Sequence, residues 1–250
     1  MGKHSKNKTN IKNIFLSVLT LIFLIILVIS IIYIVKWFID GKENRKIVEK
    51  VSELIIIDNK ENESEYKIDF EKLKEINNQI VGYLKVNGTN IEYPVVQAED
   101  NNYYLKRNLD TEYNSGGWIF ADYKNNFDGT DKNIVIYGHN MKDNSMFGSL
   151  ENVLEEEWYN NEENYIINFI TEKEEQKYQV FSVYKIENED YYINTEFKNK
   201  EEFINFTNTL KERSIKDFNV ELSKEDSIIT LSTCANNNKY RVVLHAKKLF

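Results

Sequence analysis

The chain has 250 residues, enough for one large domain or two small ones. One cysteine excludes an intramolecular disulfide and a zinc ribbon, three histidines leave little for a metal cage, and one proline argues against a Pro-rich linker. A formal net charge of −8, from 32 Lys+Arg and 40 Asp+Glu, disfavours a nucleic-acid partner, which needs clustered positive charge.

Ile14 to Val35 form 22 residues without a charge, which as a helix span roughly 33 Å and match a bilayer core. No small-residue cleavage site follows, since Lys36-Trp37-Phe38-Ile39-Asp40 comes next, so the segment reads as an uncleaved transmembrane helix. Lys3, Lys6, Lys8 and Lys12 precede it without an acid; the positive-inside rule therefore keeps residues 1–13 cytoplasmic and exports everything after Lys36. Tyr33 and Trp37 suit the outer interface. Residues 1–50 carry a net +6 and residues 51–250 a net −14, so the exported part has a well-solvated acidic surface.

Residues 36–66 read as a juxtamembrane helix and linker. Ile47, Val48, Val51, Leu54 and Ile55 recur at helical spacing within residues 44–57, and the polar run 58–66 reads as a loop. Asp69 is placed to cap a helix reaching about Ile80. Eight short runs rich in β-branched and aromatic residues then read as strands: 81–86, 91–96, 117–122, 133–138, 164–171, 177–186, 227–233 and 239–249. Asn87-Gly88 signals a hairpin between the first two, and Pro94 suits an edge or strand end. Helical interruptions fall at 101–107, 146–160 and 200–213. The sum is one mainly β domain over residues 67–250, a closed or nearly closed eight-stranded barrel with helices inserted.

Cys234 ends the apolar strand that starts at Ile228, just before the polar turn Ala235-Asn236-Asn237-Asn238. A small buried filler and a nucleophile are both open readings for it. A hairpin symmetric about Asn237/Asn238 sets Arg241 opposite Cys234, with Cβ atoms about 5 Å apart. The same register pairs His245 with Thr230, roughly 13 Å from the thiol, an ordinary strand position and a poor one for a base. His4 lies across the membrane. His139 follows an apolar strand and Gly138, where a catalytic loop histidine and a surface histidine look alike.

A converging Cys, His and Arg suits acyl transfer: a thiolate attacks a carbonyl, an imidazolium protonates the leaving amine, and a guanidinium stabilises the oxyanion. With ordinary pKa values, the thiolate/imidazolium pair is only about 1% of an uncoupled population.

Thr230-Leu231-Ser232-Thr233-Cys234, Arg241 on the next strand, and Tyr137-Gly138-His139-Asn140 about a hundred residues earlier resemble the sortases, membrane-anchored cysteine transpeptidases of Gram-positive bacteria. The helices between residues 44 and 80, the stretch Asp100 to Leu105, the segment Gly117 to Asp122 and a helix at 200–213 before the last two strands are similar to class B. The Lys/Asn/Ile-rich usage suggests a clostridium-like source. The resemblance implies a sortase-type eight-stranded β-barrel, with His139 as general acid/base, Cys234 as nucleophile and Arg241 as oxyanion and substrate-positioning residue. It matches Asn101, Leu105, Tyr137 and Ser232 to positions that contact the sorting peptide. Two features depart from the pattern: Ala235 stands where some relatives carry an acid, and the seven-residue spacing from Cys234 to Arg241 is short, which a tighter turn absorbs.

The implied reaction cleaves a C-terminal sorting signal, NPQTN-like or SPxTG/LPxTG-like, after its Thr and passes the acyl group to a peptidoglycan amine. Its partners are surface proteins bearing that signal, a peptidoglycan precursor or cell-wall amine, and the cytoplasmic membrane. A monomer without metal or cofactor is expected. Two other readings are a membrane-anchored cell-wall cysteine peptidase, which runs Cys before His in the related hydrolases, and a non-catalytic anchored binding module.

Overall fold

The computed structural model describes residues 4–60, 63–187, 189–234 and 239–250. The chain divides into two compact units, one ending at Glu43 and one running Asn44–Phe250. Helix α1 (His4–Ser52) contains the apolar span, and its Lys12–Ser52 portion includes an 18-residue window of mean hydropathy 3.3, long and apolar enough to cross a membrane.

Within the second unit, Ile47 and Val51 are buried on the last turns of α1. The helix stops at Ser52 rather than continuing to residue 57. The triple isoleucine that follows is β-branched, favours extended backbone, and opens strand β1 (Ile55–Lys60), which pairs antiparallel with β2 (Glu63–Ile68). The expected loop over 58–66 is therefore mostly hairpin. Asp69 does cap the next helix, α2 (Phe70–Ile76), accepting from the Lys72 N–H at 3.1 Å. That helix ends at Asn77, short of Ile80, because Ile80 is the first residue of the barrel.

The eight barrel strands correspond to the eight apolar runs: β3 (Ile80–Val86), β4 (Glu92–Val96), β5 (Phe120–Ala121), β6 (Asn133–His139), β7 (Ile166–Ile170), β8 (Glu175–Glu187), β9 (Ile228–Cys234) and β10 (Tyr240–Lys248). They close in the order β10-β8-β7-β3-β4-β5-β6-β9. Closure removes the free edges of the barrel sheet except along β4, which β5 meets only at Val96. β4 with β5 and β6 with β9 are the parallel pairs, and the rest are antiparallel. The β3–β4 connection turns at Gly88, whose φ of +69° a side chain would resist.

Pro94 lies inside β4, opposite Tyr83, on the side of the strand left open by β5, so of its two expected settings it takes the edge and not the strand end. It is tolerated because β5 meets β4 only at Val96↔Phe120, so no ladder bond is asked of its missing N–H, and its carbonyl accepts the Trp118 indole N–H at 2.9 Å. Residues 117–122 yield only the two-residue β5: Gly117 has φ +57°, and the Trp118 N–H is taken by the Tyr104 carbonyl, so the chain turns before it can pair.

The helical interruptions are mainly 3₁₀ turns at Tyr103–Lys106 and Gly148–Leu154, with a short α3 (Glu156–Tyr159). Before the last two strands lies α4 (Lys200–Glu212), capped by Asn199 and burying Phe203, Thr207 and Leu210. The long connection carrying β7, β8 and α4 is what allows β6 and β9 to run parallel.

Candidate active site

β6 and β9 pair in parallel over their whole lengths, from Asn133↔Ile228 to His139↔Cys234. Two adjacent parallel strands thus end at the same level, one at the histidine and the other at the cysteine. His139 is the terminal residue of β6 and is buried, not a loop residue as expected. β10 returns antiparallel to β9 with His245↔Thr230 and Val243↔Ser232 in register, the register expected from the turn symmetry, which continued outward sets Arg241 opposite Cys234. The Arg241 guanidinium donates to the Thr233 carbonyl at 3.1 Å, and the Thr233 hydroxyl accepts from the Val242 N–H at 2.9 Å. The turn over 235–238, with Ala235 and the tightness expected of it, lies outside the described residues.

The His139 ring has a defined orientation. Its Nε2 lies 2.7 Å from the Leu105 carbonyl oxygen, which can only accept, so Nε2 carries the hydrogen. Nδ1 is buried and has no hydrogen-bond partner among the described residues. Burial lowers the imidazole pKa below the usual histidine value, and the bond to the Leu105 carbonyl acts in the opposite direction. Gly117 makes this contact possible: a Cβ there would sit 2.6 Å from the Tyr104 carbonyl oxygen and 2.9 Å from both His139 Cδ2 and the Leu105 carbonyl oxygen.

A cavity of about 490 Å³ opens over these residues, lined by Asn101, Leu105, Lys106, Tyr113, Ser115, Phe120, Tyr137, His139, Ile193 and Arg241. Among the described residues its lining holds cationic and neutral side chains but no carboxylate, although residues 51–250 carry a net charge of −14. Asn101, Leu105 and Tyr137 therefore share one cavity with His139 and Arg241. Ser232 is fully buried and does not line it; its hydroxyl lies 2.9 Å from Tyr192 Oη.

Three contributors escape sequence reasoning. Asp122 is buried and accepts from both Asn101 Nδ2 (2.9 Å) and Tyr137 Oη (2.8 Å), orienting two cavity side chains with one carboxylate. Ile193 enters from a 3₁₀ turn, Tyr191–Ile193, and Gly117 from a failed strand. Only the Gly116-Gly117 pair just before the apolar run Trp118 to Ala121 hinted at a close backbone approach.

Residues 84–249 match the Sortase domain family model. Sortase B of Staphylococcus aureus is 34% identical over 217 residues, covering 86% of this chain and 88% of that protein. The solved sortase B of Bacillus anthracis aligns with a TM-score of 0.73 at 36% identity, over 84% of this chain and 98% of that one. A Staphylococcus aureus sortase B–substrate complex aligns with a TM-score of 0.68 at 36% identity, over 72% and 84% of the two chains.

Proposed function

This chain belongs to the sortase family, among its class B cysteine transpeptidases, and we propose that Cys234 is its nucleophile, His139 its general acid and base, and Arg241 the residue that receives the oxyanion. The observation that carries this reading is the in-register parallel pairing of β6 and β9, which brings His139 beside Cys234.

In the first half-reaction the Cys234 thiolate attacks the Thr carbonyl carbon of a bound sorting signal. The carbonyl oxygen becomes an oxyanion within reach of the Arg241 guanidinium. Protonated His139 gives a proton to the departing amide nitrogen, the C–N bond breaks, and a thioester remains on Cys234. In the second half an amine attacks the thioester, neutral His139 takes its proton, and the thiolate leaves as the new amide forms. Nε2 is committed to the Leu105 carbonyl, so Nδ1 is the atom that moves protons. The desolvated imidazole disfavours the imidazolium on which the first half depends. Among the described residues no carboxylate lines the cavity that Arg241 shares, which suits a developing oxyanion.

Asn101, Leu105 and Tyr137 hold the signal peptide, whereas the buried Ser232 has no access to it and meets Tyr192. The substrate is a surface protein with an NPQTN-like or SPxTG/LPxTG-like signal, and the acceptor is a peptidoglycan amine. A solved substrate complex of the staphylococcal relative, and a sortase B solved with triglycine, support a peptide and an amine acceptor as partners. Residues 1–13 are cytoplasmic, 14–35 cross the membrane, 36–66 link, and 67–250 work outside the cell.

The test is turnover of NPQTN-, SPxTG- and LPxTG-type peptides by the full chain in detergent, with and without an added oligoglycine amine. Expected are unequal rates across the panel, an amide-ligated product when the amine is present, and at least a thousandfold loss in Cys234→Ala and His139→Ala. Equal rates across the panel would overturn the class B type of signal. Retained turnover in Cys234→Ala would overturn the assignment of the nucleophile.

A further inference from the structure

His245 is fully buried on β10, away from the thiol, and takes no part in the reaction above. It is nevertheless the centre of a closed hydrogen-bond circuit. Tyr191 Oη donates to Tyr184 Oη at 3.1 Å, which lies 2.9 Å from His245 Nε2. On the other side of the ring, His245 Nδ1 lies 2.9 Å from Thr230 Oγ1, which donates to Asn133 Oδ1 at 2.7 Å. The Asn133 amide then donates to the Asn194 carbonyl at 2.8 Å.

Donor directions fix the proton on the ring. The Thr230 hydroxyl spends its hydrogen on Asn133, so it accepts from His245 Nδ1–H, and Nε2 accepts the Tyr184 hydroxyl. A neutral imidazole offers one donor and one acceptor on opposite edges, as this circuit requires. The path crosses four consecutive barrel strands, β8, β10, β9 and β6, and begins and ends on the same surface turn, at Tyr191 and Asn194. Midway along that turn, the Tyr192 hydroxyl meets the Ser232 hydroxyl. The residue left between these attachments is Ile193, whose side chain lines the active-site cavity. From outside, the Arg213 guanidinium covers the Tyr191 ring at 4.4 Å, while Phe181 stacks on the imidazole with centroids 5.9 Å apart.

We infer that His245 is a positioning residue: through Tyr184, Thr230 and Asn133 it fastens both ends of the Tyr191–Asn194 turn to the barrel and so holds Ile193 in the wall of the peptide-binding cavity. Rigid, pre-placed walls reduce the ordering cost of binding an extended peptide. The role in peptide binding rests on the cavity being the sorting-signal site; the fastening of the turn does not.

The test uses the full chain in detergent and two variants. His245→Phe keeps the stack and loses both hydrogen bonds, while Tyr191→Phe removes one hydroxyl from a half-buried ring and leaves the core intact. Amide hydrogen exchange over residues 190–194 is expected to quicken at least tenfold in His245→Phe and several-fold in Tyr191→Phe, with exchange in β7 unchanged. KM for the sorting peptide is expected to rise about tenfold in His245→Phe with kcat within twofold, and the alkylation rate of Cys234 by iodoacetamide to stay constant. Unchanged exchange over 190–194 in both variants would overturn the inference whatever the substrate is. Quickened exchange with KM unmoved would overturn the link to Ile193 and leave the catalytic assignment standing. A wild-type chain that turns over no sorting peptide would count against the proposed function alone, because the exchange measurement needs no substrate.

Discussion

Two of the three histidines lie in the barrel, and the same physical cause, desolvation, acts on both. At His139 it competes with the Leu105 carbonyl, which favours the charged ring. At His245 burial is complete and both ring nitrogens serve neutral hydroxyls, so the pKa is pushed down to about 3. In the unfolded chain this ring protonates near 6.5. Between those values the unfolded state holds one proton more than the folded state, so stability is present above pH 6.5 and is lost as pH falls. From pH 7 to pH 5 this single group removes about 2 kcal/mol. Urea unfolding at the two pH values should show the wild type losing about 2 kcal/mol more than His245→Phe; His139 contributes in the same direction to both proteins and cancels. Equal losses would mean that the ring is not buried neutral.

At the scale of single elements, α4 and the β9–β10 hairpin follow sequence signals closely. Asn199 accepts the Glu202 N–H at 2.9 Å, satisfying one of the helix's open donors. Asn199→Ala should cost about 1 kcal/mol in urea unfolding, with kcat/KM unchanged, since Asn199 does not line the cavity. A loss of activity beyond twofold would show that α4 is coupled to the site through its first turn. The β9–β10 register was legible because a symmetric turn and period-two alternation leave few alternatives. Local propensity misled where another element competed for the same backbone. The 55–57 isoleucines continue a helical pattern, yet pair with residues 66–68. Residues 117–122 carry strand composition, yet the Tyr104 carbonyl claims the Trp118 N–H.

For the molecule as a whole, charge and hydropathy divide the chain in the same place. The basic tail and apolar span give way to a unit, Asn44–Phe250, with its own core. Protease added to intact cells should degrade epitopes in residues 67–250 and spare a tag placed before Lys3; the reverse pattern would overturn the proposed orientation.

The apolar N-terminal helix and the eight barrel strands could be read from the sequence because each rests on local information: hydropathy length, alternation and turn residues. What the sequence could not supply depends on contacts between residues far apart in the chain. The parallel seam of β6 and β9, the Leu105 carbonyl that sets the imidazole, the Asp122 carboxylate shared by Asn101 and Tyr137, and the His245 circuit exist only once the barrel closes. Composition marked Cys234 as unusual; closure of the barrel set a histidine level with it on the neighbouring strand.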